Sequence, residues 1–285
     1  MFNLHQGNYM NSLAWIKNRH VVSALCAAPI LFSCAYASAE AAAPAAVEAV
    51  AAAPAEPAPP YTLSFNLGLY SNYMFRGVAL SDGPALQGGI DWAHSSGFYL
   101  GTWFSTIDPD YAVGNHQEVD LYGGYAYTFE NGLGVNFMGN YYWYPENRKA
   151  DGKSIDSFEV SAAISYKLLT YTYYNVLTDY YGARDSKNAD YHELKVNQKL
   201  PIGDLNFMAK VGYQNTRNLA GDQGDYAIGL NRDFSLPGAG KPIEGFNAGV
   251  IFTDTFNVED QEFYKSSSDR DVNDKKLTFY VKRTW

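Results

Sequence analysis

In the stretch Leu63-Ser64-Phe65-Asn66-Leu67-Gly68-Leu69, apolar side chains occupy every second position, and small or polar ones fill the positions between. An extended backbone turns successive side chains to opposite faces, whereas a helix needs apolar spacings of three and four. The stretch therefore predicts a β-strand with one apolar face and one polar face. About ten residues of this kind cross a bilayer when the strand is tilted.

The same alternation recurs along residues 61–285 and predicts twelve strands. The first strand continues through Tyr73 and Phe75, which keep its apolar phase. The other strands are expected near 85–94, 97–106, 118–129, 133–143, 158–167, 169–180, 193–199, 205–213, 225–235, 245–255 and 275–285. Short connections follow even strands and long polar ones follow odd strands, as in barrels of the outer membrane. The link at 235–245 is longer than this rule requires, so ten or fourteen strands stay open.

Lipid offers no partners to free backbone groups, so strands that cross it must close on themselves. The sequence accordingly predicts an all-β fold, a transmembrane antiparallel up-and-down β-barrel. Aromatic residues, 16% of the chain, cluster near strand ends at 141–144 and 171–174, where rings suit the headgroup level. The final strand closes on Trp285, which resembles the signal read by the barrel-assembly machinery. The alternative is a periplasmic all-β domain with these aromatics as its core.

The N-terminus has the layout of a secretory signal peptide over residues 1–39. Lys17 and Arg19 precede an apolar run, and Ala37-Ser38-Ala39 offers small residues for cleavage. Residues 40–60 are almost wholly Ala, Pro and Glu, which predicts a disordered or semi-rigid linker. The barrel is then expected over residues 61–285, and the cell outer membrane of a Gram-negative bacterium is the expected location.

Alternatives remain open at this terminus. The apolar run is too short and too interrupted for a typical membrane anchor. The segment ending in Cys34 resembles a lipidation site, and translation from Met10 would shorten a long leader. Cys26 and Cys34 are the two cysteines, so the exported chain is expected to lack disulfides.

Charge excludes one class of partner. The chain has a formal net charge of −9, and removal of the signal peptide takes away basic residues only. A phosphate backbone requires a clustered basic surface, so nucleic acid is not an expected partner.

Five blocks along the barrel carry a family resemblance. They are Ser71-Asn72-Tyr73-Met74-Phe75-Arg76-Gly77, Gly83-Pro84-Ala85-Leu86-Gln87-Gly88-Gly89, Gly97-Phe98-Tyr99-Leu100-Gly101-Thr102-Trp103, Glu118-Val119-Asp120-Leu121-Tyr122-Gly123-Gly124 and Tyr142-Trp143-Tyr144-Pro145. In this order they resemble the TorF family of bacterial outer-membrane porins. The resemblance covers most of residues 61–285 and implies location more than it implies a solute.

Charged residues in the polar phase of the strands are the candidate pore-lining residues. They are Arg76, Glu118, Asp120, Glu159, Lys167, Glu193, Lys195 and Lys210. A twelve-stranded barrel falls between filled eight-stranded and open sixteen-stranded ones, so these charges are expected either to screen solutes or to pair across the lumen and close it. Arg76 is expected at the outer mouth of the first strand, bracing a loop acid such as Asp82.

No catalytic residue, metal or cofactor is predicted. Residues 269–274 begin like a calcium loop but lack its Gly and its final Glu. His94-Ser95-Ser96 is the one candidate for lipase chemistry, and a working dyad also needs an orienting group and an oxyanion hole.

The sequence thus favours an outer-membrane porin that allows passive diffusion of small hydrophilic solutes, with weak cation preference. A closed structural or adhesive barrel with partner-binding loops is the alternative, and an outer-membrane lipase is less favoured. The expected partners are outer-membrane lipid, lipopolysaccharide, the barrel-assembly machinery and the solutes themselves.

Overall fold

The computed structural model describes residues 59–112, 114–146, 149–150 and 153–285, so the signal peptide and nearly all of the linker lie outside the described residues. Twelve antiparallel strands close into one barrel, which confirms the predicted fold class and strand number. The strands are β1 (Tyr61–Tyr70), β2 (Ala85–His94), β3 (Phe98–Thr106), β4 (Gln117–Thr128), β5 (Leu133–Trp143), β6 (Ser157–Tyr166), β7 (Leu169–Val176), β8 (Asp190–Lys199), β9 (Leu205–Asn215), β10 (Gln223–Leu236), β11 (Ile243–Phe256) and β12 (Lys276–Thr284).

Short elements lie in the connections. Tyr73–Phe75 pairs with Val78–Ser81, and Lys149–Ala150 pairs with Lys153–Ser154. Single 3-10 turns occur at Tyr180–Gly182 and Gln261–Tyr264. Within the described ranges no helix has the length and apolar character needed to cross a membrane.

The outer face of the barrel is apolar and exposed. Leu67 is 42% exposed, Leu100 57% and Phe137 58%, whereas their lumen-facing neighbours are mostly buried or half-buried. A water-soluble domain would bury such residues, and contiguous exposed apolar surface of this extent marks a contact with lipid. The alternating faces expected from the sequence are therefore present, and a soluble periplasmic domain is ruled out.

The barrel closes where the first and last strands meet. β1 pairs with β12 in antiparallel register, from Asn66 opposite Thr284 to Tyr70 opposite Tyr280. Phe65 and Trp285 exchange backbone hydrogen bonds of 3.2 and 2.8 Å at the end of the chain. This seam leaves neither terminal strand with an unpaired edge in lipid.

Connections alternate in length as the sequence predicts. The short ones run over 95–97, 129–132, 167–168, 200–204 and 237–242. The long ones run over 71–84, 107–116, 144–156, 177–189, 216–222 and 257–275. Barrels of this class keep short turns on the periplasmic side, so the long loops face the outside of the cell.

The first strand ends earlier than predicted. Tyr73 and Phe75 were expected on its lipid-facing side, but β1 stops at Tyr70 and both rings are buried, at 1% and 5% exposure. Arg76 and Gly77 have φ of 48° and 79°. A two-residue hairpin turn of type I′ requires positive φ at both of its central residues. Residues 73–81 therefore fold back as a short hairpin inside the barrel, here called the lumen hairpin.

The lipid face gives a direct test of the barrel. Replacing Leu67 by Arg should lower the free energy of unfolding by about 2–4 kcal/mol, because a charge would enter the hydrocarbon region. Ser64→Arg, on the lumen face of the same strand, should change it by only about 0.5 kcal/mol. Unfolding from lipid vesicles, followed by tryptophan fluorescence, measures both. Equal losses would contradict the assignment of faces.

Candidate functional site

The lumen hairpin crosses the outer half of the barrel. At its base, Tyr73 donates a hydrogen bond of 3.0 Å to Glu118 on β4. At its tip, Gln223 on β10 donates one of 3.1 Å to the carbonyl oxygen of Arg76. A Cβ atom on Gly77 would lie 2.6 Å from the Thr255 side chain on β11, so only glycine fits there. The hairpin thus spans the lumen from β4 to the wall formed by β10 and β11.

Arg76 lies in a site formed by the barrel wall and by Phe75 of the hairpin, whose ring is 4.8 Å from its central carbon. Its guanidinium forms a bidentate pair with Glu159 on β6, with N–O distances of 2.8 and 2.9 Å, and donates a hydrogen bond of 3.4 Å to Gln214 on β9. The rings of Tyr174 and Tyr191, on β7 and β8, lie 4.7 and 4.4 Å from its central carbon. These four side chains are here called the guanidinium cradle.

The expectation that Arg76 braces a loop acid such as Asp82 is wrong. Asp82 instead pairs with Lys276 at 2.6 Å and lies 3.7 Å from Arg270. Because Arg76 occupies the tip of a hairpin rather than the end of β1, it reaches a carboxylate on the far wall. The predicted type of partner, a carboxylate held in bidentate geometry, is nevertheless the one it finds.

Two predicted acids form a buried cluster beside the cradle. Glu118 accepts hydrogen bonds from Tyr73 and from Tyr144, the latter at 2.9 Å. Asp120 accepts one of 3.2 Å from Asn140. Both carboxylates are at most 1% exposed. No basic side chain among the described residues lies within 4 Å of either carboxyl group, so hydroxyl and amide groups are the partners of these two acids.

A second cluster pairs acids with a base. Lys210 on β9 lies 2.5 Å from Asp225 on β10 and 3.8 Å from Glu193 on β8. It also donates a hydrogen bond of 3.1 Å to Tyr191, which in turn donates one of 2.8 Å to Asp225. Tyr191 thus joins this cluster to the guanidinium cradle, and neutralisation across strands is realised here.

The two remaining candidates are lysines in different positions. Lys195 is half-buried and stands opposite Lys210 in the register of β8 and β9. Lys167 was expected in the lumen phase of its strand, but it lies exposed in the turn after β6, with φ of 55° and its ammonium 5.2 Å from the Tyr166 ring. The turn takes Lys167 out of the alternation, so the structure does not bring it to the lumen wall.

The periplasmic half of the lumen is lined by amides and hydroxyls. Asn247 and Asn206 both donate hydrogen bonds to Asn231, at 3.0 and 3.1 Å, and Tyr280 donates one of 2.9 Å to Asn247. These residues come from β9 to β12, where Met208 and Ile251 are also buried. The wall below the hairpin therefore combines polar groups with a few apolar side chains.

The extracellular loops are tied together above the hairpin. Arg270, in the loop after β11, pairs with Asp110 in the loop after β3 at 2.6 Å. The Val272 carbonyl in the same loop accepts a hydrogen bond of 2.6 Å from the backbone of Ala79. Lys265 pairs with Asp271 at 2.9 Å. The loop over residues 257–275 is thus an ordered cover, and basic side chains neutralise some of its acidic ones.

The histidine and serine turn lies at the opposite end of the barrel. The His94 ring bonds to the Ser96 hydroxyl at 2.7 Å, while the backbone N–H of Ser95 bonds to the Pro60 carbonyl. The side chain next to His94 is therefore Ser96 rather than Ser95. The backbone N–H of Ser96 also bonds to the same ring nitrogen at 3.1 Å, an arrangement typical of a turn.

Sequence reasoning missed several residues of the cradle and its neighbour cluster. The sequence pattern places Tyr174 among aromatic residues at the headgroup level, and it does not single out Tyr191, Gln214 or Asp225. Only the two positive φ angles of the hairpin turn bring Arg76 to them, and the sequence signal for that turn is the single Gly77 that follows it.

A closed barrel with a lipid-facing apolar exterior and a polar lumen defines a β-barrel protein of the outer membrane. Within that class, residues 54–285 match the model of a family described as a bacterial protein of unknown function (Gcw_chp), and the chain belongs to that family.

Solved structures of similar shape share little sequence with this chain. The KdgM porin has a TM-score of 0.46 at 8% identity, over 78% of this chain and 98% of its own. An outer membrane channel from Pseudomonas putida F1 has a TM-score of 0.45 at 10% identity, over 81% and 100%. The NanC porin has a TM-score of 0.41 at 11% identity, over 78% and 98%. No curated protein matches the chain.

The buried ion pair should dominate the stability of the lumen hairpin. Replacing Arg76 by Ala should lower the free energy of unfolding by about 3–5 kcal/mol, because Glu159 would stay buried without its partner. Lys276→Ala breaks the more exposed pair with Asp82 and should cost at most about 1 kcal/mol. Denaturant unfolding in vesicles compares the two, and similar losses would contradict the buried pair.

The ion pair in the loop cover should shift the pKa of Asp110. Hydrogen bonds from Arg270 lower the pKa of Asp110 from 3.8 to about 2. Because the folded pKa is depressed, the link stabilises the cover above the ordinary pKa and is lost as the pH falls through about 2. Carboxyl NMR should find the Asp110 midpoint moved back toward 3.8 in Arg270→Ala. Lys265→Ala should leave it in place, and an unmoved midpoint in Arg270→Ala would refute the link.

Proposed function

We propose that this protein is a porin that allows passive diffusion of small hydrophilic solutes across the outer membrane when the lumen hairpin moves aside. One observation carries the proposal: the hairpin is not part of the barrel wall. β1 and β2 are paired along their whole length, with Tyr70 opposite Ala85, so their ladder uses no residue of the hairpin. Ser71 and Asn72, which precede the hairpin, continue the contact of β1 with β12 through hydrogen bonds to Phe279 and Leu277. Displacement of residues 73–81 would therefore leave the barrel wall closed.

Polarity of the remaining lumen supports the same proposal. Below the hairpin the wall presents the amides of Asn206, Asn231 and Asn247, which can hydrogen-bond to water and to polar solutes. The resemblance of five sequence blocks to TorF-family porins agrees with this role.

Weak cation preference is part of the proposal. Among the lumen candidates, Glu118, Asp120 and Glu159 lie in one half of the outer lumen, and only Glu159 is paired with a base. Rings of like charge in a narrow passage favour ions of the opposite sign. Lys195 and Lys210 moderate this field from the other side.

A closed structural or adhesive barrel with partner-binding loops is the second candidate, and a specific observation favours it. The Arg76 and Glu159 pair is buried at 4% and 2% exposure, and the loop after β11 covers the hairpin. Such a lumen would stay shut if nothing displaced the hairpin.

We assign no catalytic role to the His94 turn. The His94 and Ser96 pair is held by turn hydrogen bonds, and no acid is hydrogen-bonded to the ring among the described residues.

We further propose that residues 1–39 are removed on export and that residues 40–60 serve as a tether. We also propose that lipopolysaccharide and the barrel-assembly machinery are the partners of the barrel in the membrane.

Measurements of single-channel conductance test the proposed porin function. Residues 73–83 are replaced by a two-residue turn, which keeps Ser71 and Asn72 in contact with β12 and leaves the register of β1 and β2 unchanged. In planar bilayers the variant should give current steps at least severalfold larger than the wild type, with a higher permeability for K⁺ than for Cl⁻. Shortening the 237–242 connection, at the periplasmic end, is the matched control and should leave the steps unchanged.

The outcomes separate the two candidates. Absence of current from both the wild type and the hairpin replacement, each correctly folded, would reject the porin and favour the closed barrel. Anion preference in the replacement would reject the assigned role of the lumen acids.

A further inference from the structure

The guanidinium cradle has the composition of a ligand site. Its carboxylate, amide and two aromatic rings all come from strands of the barrel wall, whereas the cation within it comes from the displaceable hairpin. A planar guanidinium matches a carboxylate through two parallel hydrogen bonds and stacks on aromatic faces. We propose that the cradle is a recognition site for solutes that carry a guanidinium group, and that Arg76 occupies it as a tethered stand-in for such a solute.

Charge explains why a solute cation would be needed. If the hairpin left alone, Glu159 would lose its bidentate partner in a lumen that already holds Glu118 and Asp120. An unpaired buried carboxylate is strongly unfavourable. A solute that supplies its own guanidinium keeps the pair intact, so exchange is much less costly than simple opening.

Geometry restricts the class of solute. The fork of Glu159 and the two rings at 4.4 and 4.7 Å favour a flat, delocalised cation over a compact ammonium. The cradle has one carboxylate in contact with the cation, so a single guanidinium satisfies it. An anionic or neutral solute would leave Glu159 with the hydrogen bond from Tyr142 but without a cation.

The tether sets the strength of the competition. Arg76 is covalently attached through a short hairpin, and such tethers give effective concentrations of the order of mM. A free solute must therefore compete at similar concentrations in the wild type. Removal of the Arg76 side chain should remove this competition and strengthen binding.

Binding measurements test the site without relying on current. Isothermal titration calorimetry on the folded, detergent-solubilised barrel uses methylguanidinium as the probe and methylurea as its neutral counterpart of the same shape. Arg76→Ala should bind methylguanidinium at least tenfold more tightly than the wild type and should not bind methylurea. Adding Glu159→Gln to Arg76→Ala should abolish binding, whereas adding Asp204→Asn, in the exposed turn after β8, should leave it within about twofold.

A second variant guards against misfolding. The barrel in which a turn replaces residues 73–83 lacks Arg76 but keeps all four cradle side chains, and it should bind the probe like Arg76→Ala. Equal affinities for the wild type and both variants, equal binding of methylurea, or binding that survives Glu159→Gln would each overturn the proposal.

This inference deepens the proposed function, and it rests on it because a solute must reach the lumen. Methylguanidinium should also reduce the current through the hairpin-replaced barrel. Binding without any current would refute the porin while leaving the cradle as a ligand site. Current without binding would refute the cradle and leave the porin intact.

Discussion

Backbone hydrogen bonding in a medium without water is the constraint on which this structure depends. Every N–H and C=O group within the hydrocarbon must find a partner in the protein, and a closed ring of strands is one of the two solutions. The seam between β1 and β12 completes that ring, and the final residue, Trp285, still takes part in it through Phe65. Alternating sequence patterns follow from closure, because each strand then has one face toward lipid and one toward the lumen.

Closure of the barrel places many charged side chains in a narrow lumen, where removal from water is costly. The lumen holds many ionisable side chains in little space, and charges removed from water need partners. The two clusters solve this differently. Lys210 neutralises Asp225 within the wall itself, whereas Glu159 receives its cation from a connection between strands. Glu118 is satisfied by hydroxyl groups alone.

The sequence predicts the wall well and the lumen contents poorly, for a physical reason. Period-two alternation arises wherever a strand separates lipid from lumen, so it identifies β1 to β12 and the long and short connections. A loop that folds inward escapes this logic. Tyr73 and Phe75 continue the alternation of β1 in the sequence but are buried in the hairpin. Lys167 continues the polar phase of its strand in the sequence but lies exposed in a turn. Pairing across the barrel, such as Arg76 with Glu159, depends on closure and cannot be deduced from spacing along the chain.

Separation of the hairpin from the barrel ladder has an evolutionary consequence. The hairpin, residues 73–81, lies in a connection that leaves the β1–β2 ladder at Tyr70 and rejoins it at Ala85, so substitutions or length changes within the hairpin do not alter that ladder. Most of the molecule must obey the demands of lipid, but this insert is released from them. Under the proposed function, changes in one short segment would alter what the lumen admits while the surrounding cylinder stays the same.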